Sequence, residues 1–286
     1  MKKAITLICI IASAVSMKAQ VAESVEAEWP RQIVSNKNII SKKALGKSQI
    51  RIATYSILPE TTPPPIMLKR WDIRINQITH IINDCNIDIV GTQRAFSRQI
   101  SQLAKQCGYH TVSNQDSIPN AIIYNPQRLE IKAWGHINLT QKKLYDITPH
   151  SCTWAKFKET ESKKTFYVFN TYLRTAKEAE TLLLQIKKIA KNKPAIITAD
   201  LFAQQYKPAP AAIRAKMKDA YDIALHITGK DGTFHNYKTL NPIRRMDYIF
   251  LTPNFIVNEY DTVDEELTTL RPGSDHLPVV ADLTLR

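Results

Sequence analysis

Four short β-type segments, at 120–125, 129–134, 152–158 and 165–173, follow one another with no helical pattern between them, and this crowding limits the possible folds more than any other feature. The last two are joined only by the polar turn at 159–164. Strand patterning begins at Gln49, where Ile50, Ile52 and Thr54 alternate with Arg51, Ala53 and Tyr55; such a period of two marks a strand. Apolar residues three or four apart give a first helix face (Trp71, Ile75, Ile78, Ile82, Cys85) and a second (Phe96, Ile100, Leu103, Cys107). A third helix carries Leu182, Leu183, Ile186, Ile189 and Ala190, and 213–225 has a helical pattern. Further strands are predicted at 87–92, 195–199, 233–237, 248–252 and 278–285, and four prolines make 59–65 a loop. Strands mixed with a few long helices, without strict βαβ alternation, predict sheets packed on each other with helices outside. No repeat or low-complexity linker interrupts 49–286, so one domain is expected there, preceded by a polar extension at 20–48.

Glycine is scarce, with 7 in 286 residues, and no two of them form G-x-G. Dinucleotide fingerprints, Walker-type loops and the G-x-S-x-G elbow are therefore excluded, as is the H-E-x-x-H zinc motif. Residues 1–19 read as an export signal: Lys2 and Lys3 precede the apolar run 4–15, and Ala19 ends the segment. That run is too short to span a bilayer, which needs about 20 apolar residues, so an exported protein, periplasmic or secreted, is expected. Removing Lys2, Lys3 and Lys18 lowers the formal net charge from +13 to +10. A basic surface of this kind attracts polyanions, although the lysines are scattered in pairs. Cys85, Cys107 and Cys152 remain after Cys9 is removed; an odd number allows one disulfide at most, and buried thiols are the expected state.

Chemically suggestive residues recur at strand ends. Ser56, Arg94, Tyr172 and Asp200 close or follow strands, while Asp247, Asp275 and His276 open or precede them. Outgoing strands ending and incoming strands starting at one rim would bring these residues together. A lone Asp after a strand usually serves a turn; Asp-His before an apolar strand is more specific, because it sets a carboxylate beside an imidazole able to bind phosphate or relay a proton.

The ordered series Ile52–Ile57, Trp71–Arg74, Asp88–Gln93, Thr153–Ala155, Phe169–Thr171, Asp200, Met246–Phe250 and Ser274–Val279 resembles the endonuclease/exonuclease/phosphatase superfamily, the DNase-like fold. The resemblance covers nearly all of residues 50–286. It implies an α/β fold, a four-layered sandwich of two packed, mainly antiparallel sheets flanked by helices, with the site at one rim. It also implies cleavage of phosphate esters with Mg²⁺ or Mn²⁺, in nucleic acids, phospholipids or sugar phosphates. Asp200, Asp247, Asp275 and His276 match the superfamily's catalytic positions, and Tyr172 is tolerated there. Asp247 and Asp275 are the candidate metal ligands.

Several positions depart from the pattern. Ser56 stands where the superfamily has Asn, Phe202 where it has a second Asn, and His150 where Arg is common. Arg94 stands where the superfamily has Glu, its main metal ligand. Mg²⁺ needs oxygen ligands, usually including a carboxylate, and a guanidinium is a permanent cation. Two positive charges ~4 Å apart repel by about 4 kcal/mol at an effective dielectric near 20, a loss of roughly several hundred-fold in metal affinity or more. Arg94 is therefore expected to pair with Asp200 or Asp275 in place of a metal. The leading expectation is a degenerate phosphoesterase site that binds a phosphorylated ligand through Arg94, His150 and His276. The alternative is a working hydrolase with a rebuilt metal site, in which Asp200 orients water and His276 contacts phosphate. Trp71, Trp134 and Trp154 are expected in the core, Asp219 and Asp222 on the surface.

Overall fold

The computed structural model describes residues 44–60, 70–114, 119–140, 150–239, 241–264 and 272–286. The expected export signal and most of the 20–48 extension lie outside the described residues. No helix among the described residues is long and apolar enough to cross a membrane.

Thirteen strands and five helices alternate irregularly along the described chain: β1 (Gln49–Ser56), α1 (Trp71–Asp84), β2 (Ile89–Gln93), α2 (Ser97–Cys107), β3 (His110–Val112), β4 (Ile122–Tyr124), β5 (Leu129–Asn138), β6 (Ser151–Glu159), β7 (Thr165–Tyr172), α3 (Ala176–Ala190), β8 (Ala195–Asp200), α4 (Pro208–Arg214), β9 (Lys218–Asp219), α5 (Ala220–Ile223), β10 (His226–Gly229), β11 (Asp247–Leu251), β12 (Phe255–Thr262) and β13 (Val279–Leu285). They form a seven-stranded sheet in the order β10-β12-β13-β1-β2-β4-β3 and a six-stranded sheet in the order β5-β6-β7-β8-β11-β9. Most neighbours are antiparallel; β1–β2, β7–β8 and β10–β12 are parallel.

Three apolar layers hold four structural layers together. Ile50, Ile52 and Leu283 of the first sheet meet Phe157, Val168 and Ile249 of the second between the sheets. Ile78, Ile82, Ile100 and Leu103 of α1 and α2 cover the outer face of the first sheet. Leu182, Ile186 and Ile213 of α3 and α4 cover the second against Ile197 and Phe250. The expected four-layered α/β sandwich is thus the observed architecture. Its helix ends follow local rules: Thr175 and Glu178 form a capping box at the start of α3, and Gly108 closes α2 in the left-handed region at φ 71°.

Some sequence expectations are corrected. The single helix at 213–225 breaks into α4, β9 and α5, because Asp219 accepts the Tyr221 amide to start a new helix. Asp219 is buried, not a surface charge, and its carboxylate binds the Arg245 guanidinium at 3.0 and 2.7 Å; Asp222 is exposed as expected. The strand expected at 233–237 reduces to one bridge, Phe234 to His276, since Asn236 and Tyr237 have φ values of 51° and 56°. Trp71 is buried, but Trp134 is 53% exposed and Trp154 half-buried. Cys85 and Cys152 are buried free thiols; Cys107 is also free but only partly buried.

Candidate functional site

Strand register assembles the site. Tyr172 at the end of β7 pairs with Asp200 at the end of β8, and Asp200 pairs with Asp247 at the start of β11, so the three residues form one row across the second sheet. In the first sheet Ser56 and Gln93 are paired at the ends of β1 and β2. Arg94 follows β2 directly, and Asp275 and His276 precede β13, which runs antiparallel to β1. Parallel strands therefore end, and antiparallel strands begin, at a shared rim.

Hydrogen bonds tie the two rows together. The Ser56 hydroxyl donates to Asp200 Oδ2 at 2.7 Å. His276 Nδ1 lies 2.8 Å from Asp247 Oδ2, which also accepts from the Thr233 hydroxyl. Arg94 presents both terminal nitrogens to Asp275, Nη1 to Oδ1 at 3.3 Å and Nη2 to Oδ2 at 3.1 Å, and Nη1 reaches the Ser56 hydroxyl at 3.5 Å. Of the two partners expected for Arg94, the structure selects Asp275. Ser274 secures this corner by donating to the Ser56 carbonyl, with its oxygen 3.2 Å from Asp275 Oδ1.

Burial and charge set the protonation states. Burial alone would depress the His276 pKa, but Asp247, Asp200 and Asp275 outweigh it and hold the imidazole up to about 9. His276 is thus an imidazolium at neutral pH, and its buried Nε2 has no partner among the described residues. Burial, aided by the Asp247 charge, pushes Asp200 up despite opposing pulls from His276 and Arg94. Burial also works to raise Asp275, but His276 and Arg94 overcome it and hold that carboxyl below its usual range. Burial and the Asp200 charge raise the Tyr172 phenol.

The remaining candidates stand at the edge. Phe202 is 43% exposed, with φ 46°; its amide donates to Asp200 Oδ1, and its ring meets Phe234 at 6.1 Å. Phe234 in turn lies 4.8 Å from the His276 ring. His150 does not join the central cluster. Its Nδ1 lies 2.7 Å from Glu178 Oε1, and its ring packs edge-on to Tyr172. Thr233, Ser274 and Arg174 are parts of the site that sequence reasoning did not assign. Ser274 directly precedes Asp275 and His276 in the chain, which is the sequence signal that points to it.

Against solved structures, the chain aligns over 84% of its length with all of an endonuclease/exonuclease/phosphatase from Bacteroides vulgatus, at 26% identity and TM-score 0.75. The chain has the fold of the endonuclease/exonuclease/phosphatase superfamily. A mannosyl-6-phosphatase from Bacteroides thetaiotaomicron aligns over 82% of this chain and 99% of its own, at 24% identity and TM-score 0.75. The human nocturnin catalytic domain with bound sulfate aligns at 17% identity and TM-score 0.65, over 84% and 96% of the two chains. No protein family profile and no curated protein matches the sequence.

The divalent metal that this fold commonly carries can be tested against the residues present. At the rim where the superfamily has its ligating Glu, Arg94 and Asp275 neutralise each other in a two-pronged ion pair, so that corner does not fit a cation. One group among the described residues, Asp200, Asp247 and His276, has potential ligand atoms all within 4.8 Å of one another. A metal there would have to displace the proton that three carboxylates stabilise on His276, since only the neutral imidazole ligates.

Proposed function

We propose that the chain is an exported protein that uses the phosphoesterase fold with a degenerate, arginine-plugged metal site, and that it binds a phosphorylated ligand with little or no hydrolytic activity. The observation that carries this reading is the paired contact of Arg94 on Asp275. A carboxylate and a divalent cation together carry one net positive charge, and so does a single guanidinium. The exchange therefore preserves the formal charge around Asp200, Asp247 and Asp275 while removing the metal's Lewis acidity. What remains at the rim is positive charge, including the exposed guanidinium of Arg174, a group suited to phosphate contact.

Calorimetric titration of Mn²⁺ and Mg²⁺ into the mature protein and into Arg94→Glu tests it, with the melting temperature followed alongside. Wild type should show no binding in the millimolar range, and Arg94→Glu should gain binding and a metal-dependent rise in melting temperature. Metal binding by wild type that disappears in Asp275→Ala would overturn the proposal. A second reading is supported by the intact His276–Asp247 pair: a phosphate ester hydrolase in which Asp200 orients water and His276 holds the scissile phosphate. It requires turnover that is abolished by His276→Ala and by chelator.

A further inference from the structure

Arg174 lies in the β7–α3 connection, and its exposed side chain is held without a carboxylate among the described residues. Its Nε donates to the Tyr172 hydroxyl at 2.9 Å, and Nη2 donates to the same oxygen. Its guanidinium carbon sits 5.4 Å from the centre of the Tyr172 ring and 4.8 Å from that of Phe202. The Arg174 amide is fixed as well, donating to Glu178 Oε2 at 2.9 Å beside the α3 capping box. Most arginines near the site are neutralised: Arg94 by Asp275 and Arg245 by Asp219. Among the described residues Arg174 has no acidic partner, and Nη1 makes no hydrogen bond.

Two contacts place this group at the catalytic rim and not merely near it. Tyr172, its acceptor, is in register with Asp200, and Phe202, its platform, bonds through its amide to Asp200 Oδ1. Phe202 also touches Phe234, which packs on His276. A guanidinium gripped along one edge by the Tyr172 hydroxyl and lying against the Phe202 ring loses little entropy on binding an anion, because its orientation is already set. Its two Nη1 donors, without a partner among the described residues, offer positively charged hydrogen bonds to phosphate oxygens.

Resting on the reading of the site given above, we propose that Arg174 is an anion-binding residue that grips the phosphate group of a monoester. The Phe202–Phe234 pair forms the apolar wall against which the ester's ring-bearing alcohol part lies. Tyr172 is the positioning residue for Arg174, and Phe202 sets selectivity for the organic part.

The test is calorimetric titration of inorganic phosphate and of phenyl phosphate into the mature protein and three variants. Wild type should bind both, with phenyl phosphate at least several-fold tighter. Arg174→Gln should weaken both about tenfold or more with an unchanged melting temperature in the absence of ligand, and Arg174→Lys should recover only part of the loss. Phe202→Asn should erase the preference for phenyl phosphate and, because it also removes one of the rings that hold Arg174, weaken inorganic phosphate, but by less than Arg174→Gln does. Equal affinities in wild type and Arg174→Gln would overturn the role of Arg174 while leaving the ligand-binding reading intact. Failure of wild type to bind either probe would overturn that reading and this inference together.

Discussion

His276 shows how a single buried side chain links protonation to stability here. The group has an ordinary value of 6.5, and folding raises it to about 9 through Asp247, Asp200 and Asp275 in spite of burial. A raised value means that the contribution is present in full below pH 6.5 and is lost as pH climbs through about 9. A rise of that size corresponds to about 3 kcal/mol, a large share of the 5–15 kcal/mol that typically separates folded from unfolded states. Asp247→Asn removes the nearest of these charges, so its stability should depend much less on pH between 6.5 and 9 than that of wild type. Urea unfolding of both proteins at pH 6, 8 and 9.5 measures this. Parallel curves for the two proteins would show that Asp247 is not what holds the proton on His276. Arg94 works by the same logic with the opposite group, since its charge helps keep Asp275 ionised in a place where burial alone would neutralise it.

Among the elements, β2 is tightly constrained because at Gly91 it leaves no room for a side chain against the second sheet. Gly91 faces the second sheet, and a Cβ there would lie 2.1 Å from Thr198 Oγ1 and 2.6 Å from Asn170 Oδ1. Those atoms belong to a buried polar network in which Asn170 Oδ1 accepts from Gln93 at 2.6 Å and from Thr198 at 3.0 Å. The Asn170 amide donates to the carbonyls of Thr92 and Ala121, both at 2.8 Å. Gly91→Ala should therefore cost about 3 kcal/mol or more, at or beyond the upper end of ordinary overpacking, visible as a lowered denaturant midpoint. A midpoint within experimental error of wild type would refute the claim of close approach. The elements legible in the sequence were those with uninterrupted patterns, such as β1, α1, α2 and β7. Those missed were short or atypical: β3 has three residues and β10 has four, too few for a period to build up. β12 has eight residues but carries Asn258 and Glu259 at the shift in its register with β13, which breaks its alternation. The site itself was legible where chemistry coincided with a strand end, as at Asp200, Asp247 and the Asp275–His276 pair. Arg174 left no such signal, because its role depends on a ring two residues back and another 28 positions ahead.

At the scale of the whole molecule, the site is also the lock between the two sheets. Ser56 and His276 come from the side of the first sheet, and their partners Asp200 and Asp247 end and begin strands of the second. The apolar layer between the sheets draws on both, with Ile52, Val279 and Ala281 of the first and Ala155, Phe166 and Ile196 of the second. Neither sheet could retain its inner face if the other left, so separate unfolding of the halves would expose this entire layer to water at a cost of roughly 25 cal/mol for each Å² of apolar surface. The described domain should therefore unfold in one cooperative step, with calorimetric and van't Hoff enthalpies that agree. Asp247→Asn should lower the temperature of that single step without dividing it, since the bond it weakens joins the halves and belongs to neither. Scanning calorimetry of wild type and variant at pH 7 decides the matter. Two resolved transitions in wild type would mean that the sheets are separate folding units and that the polar rim merely bridges them.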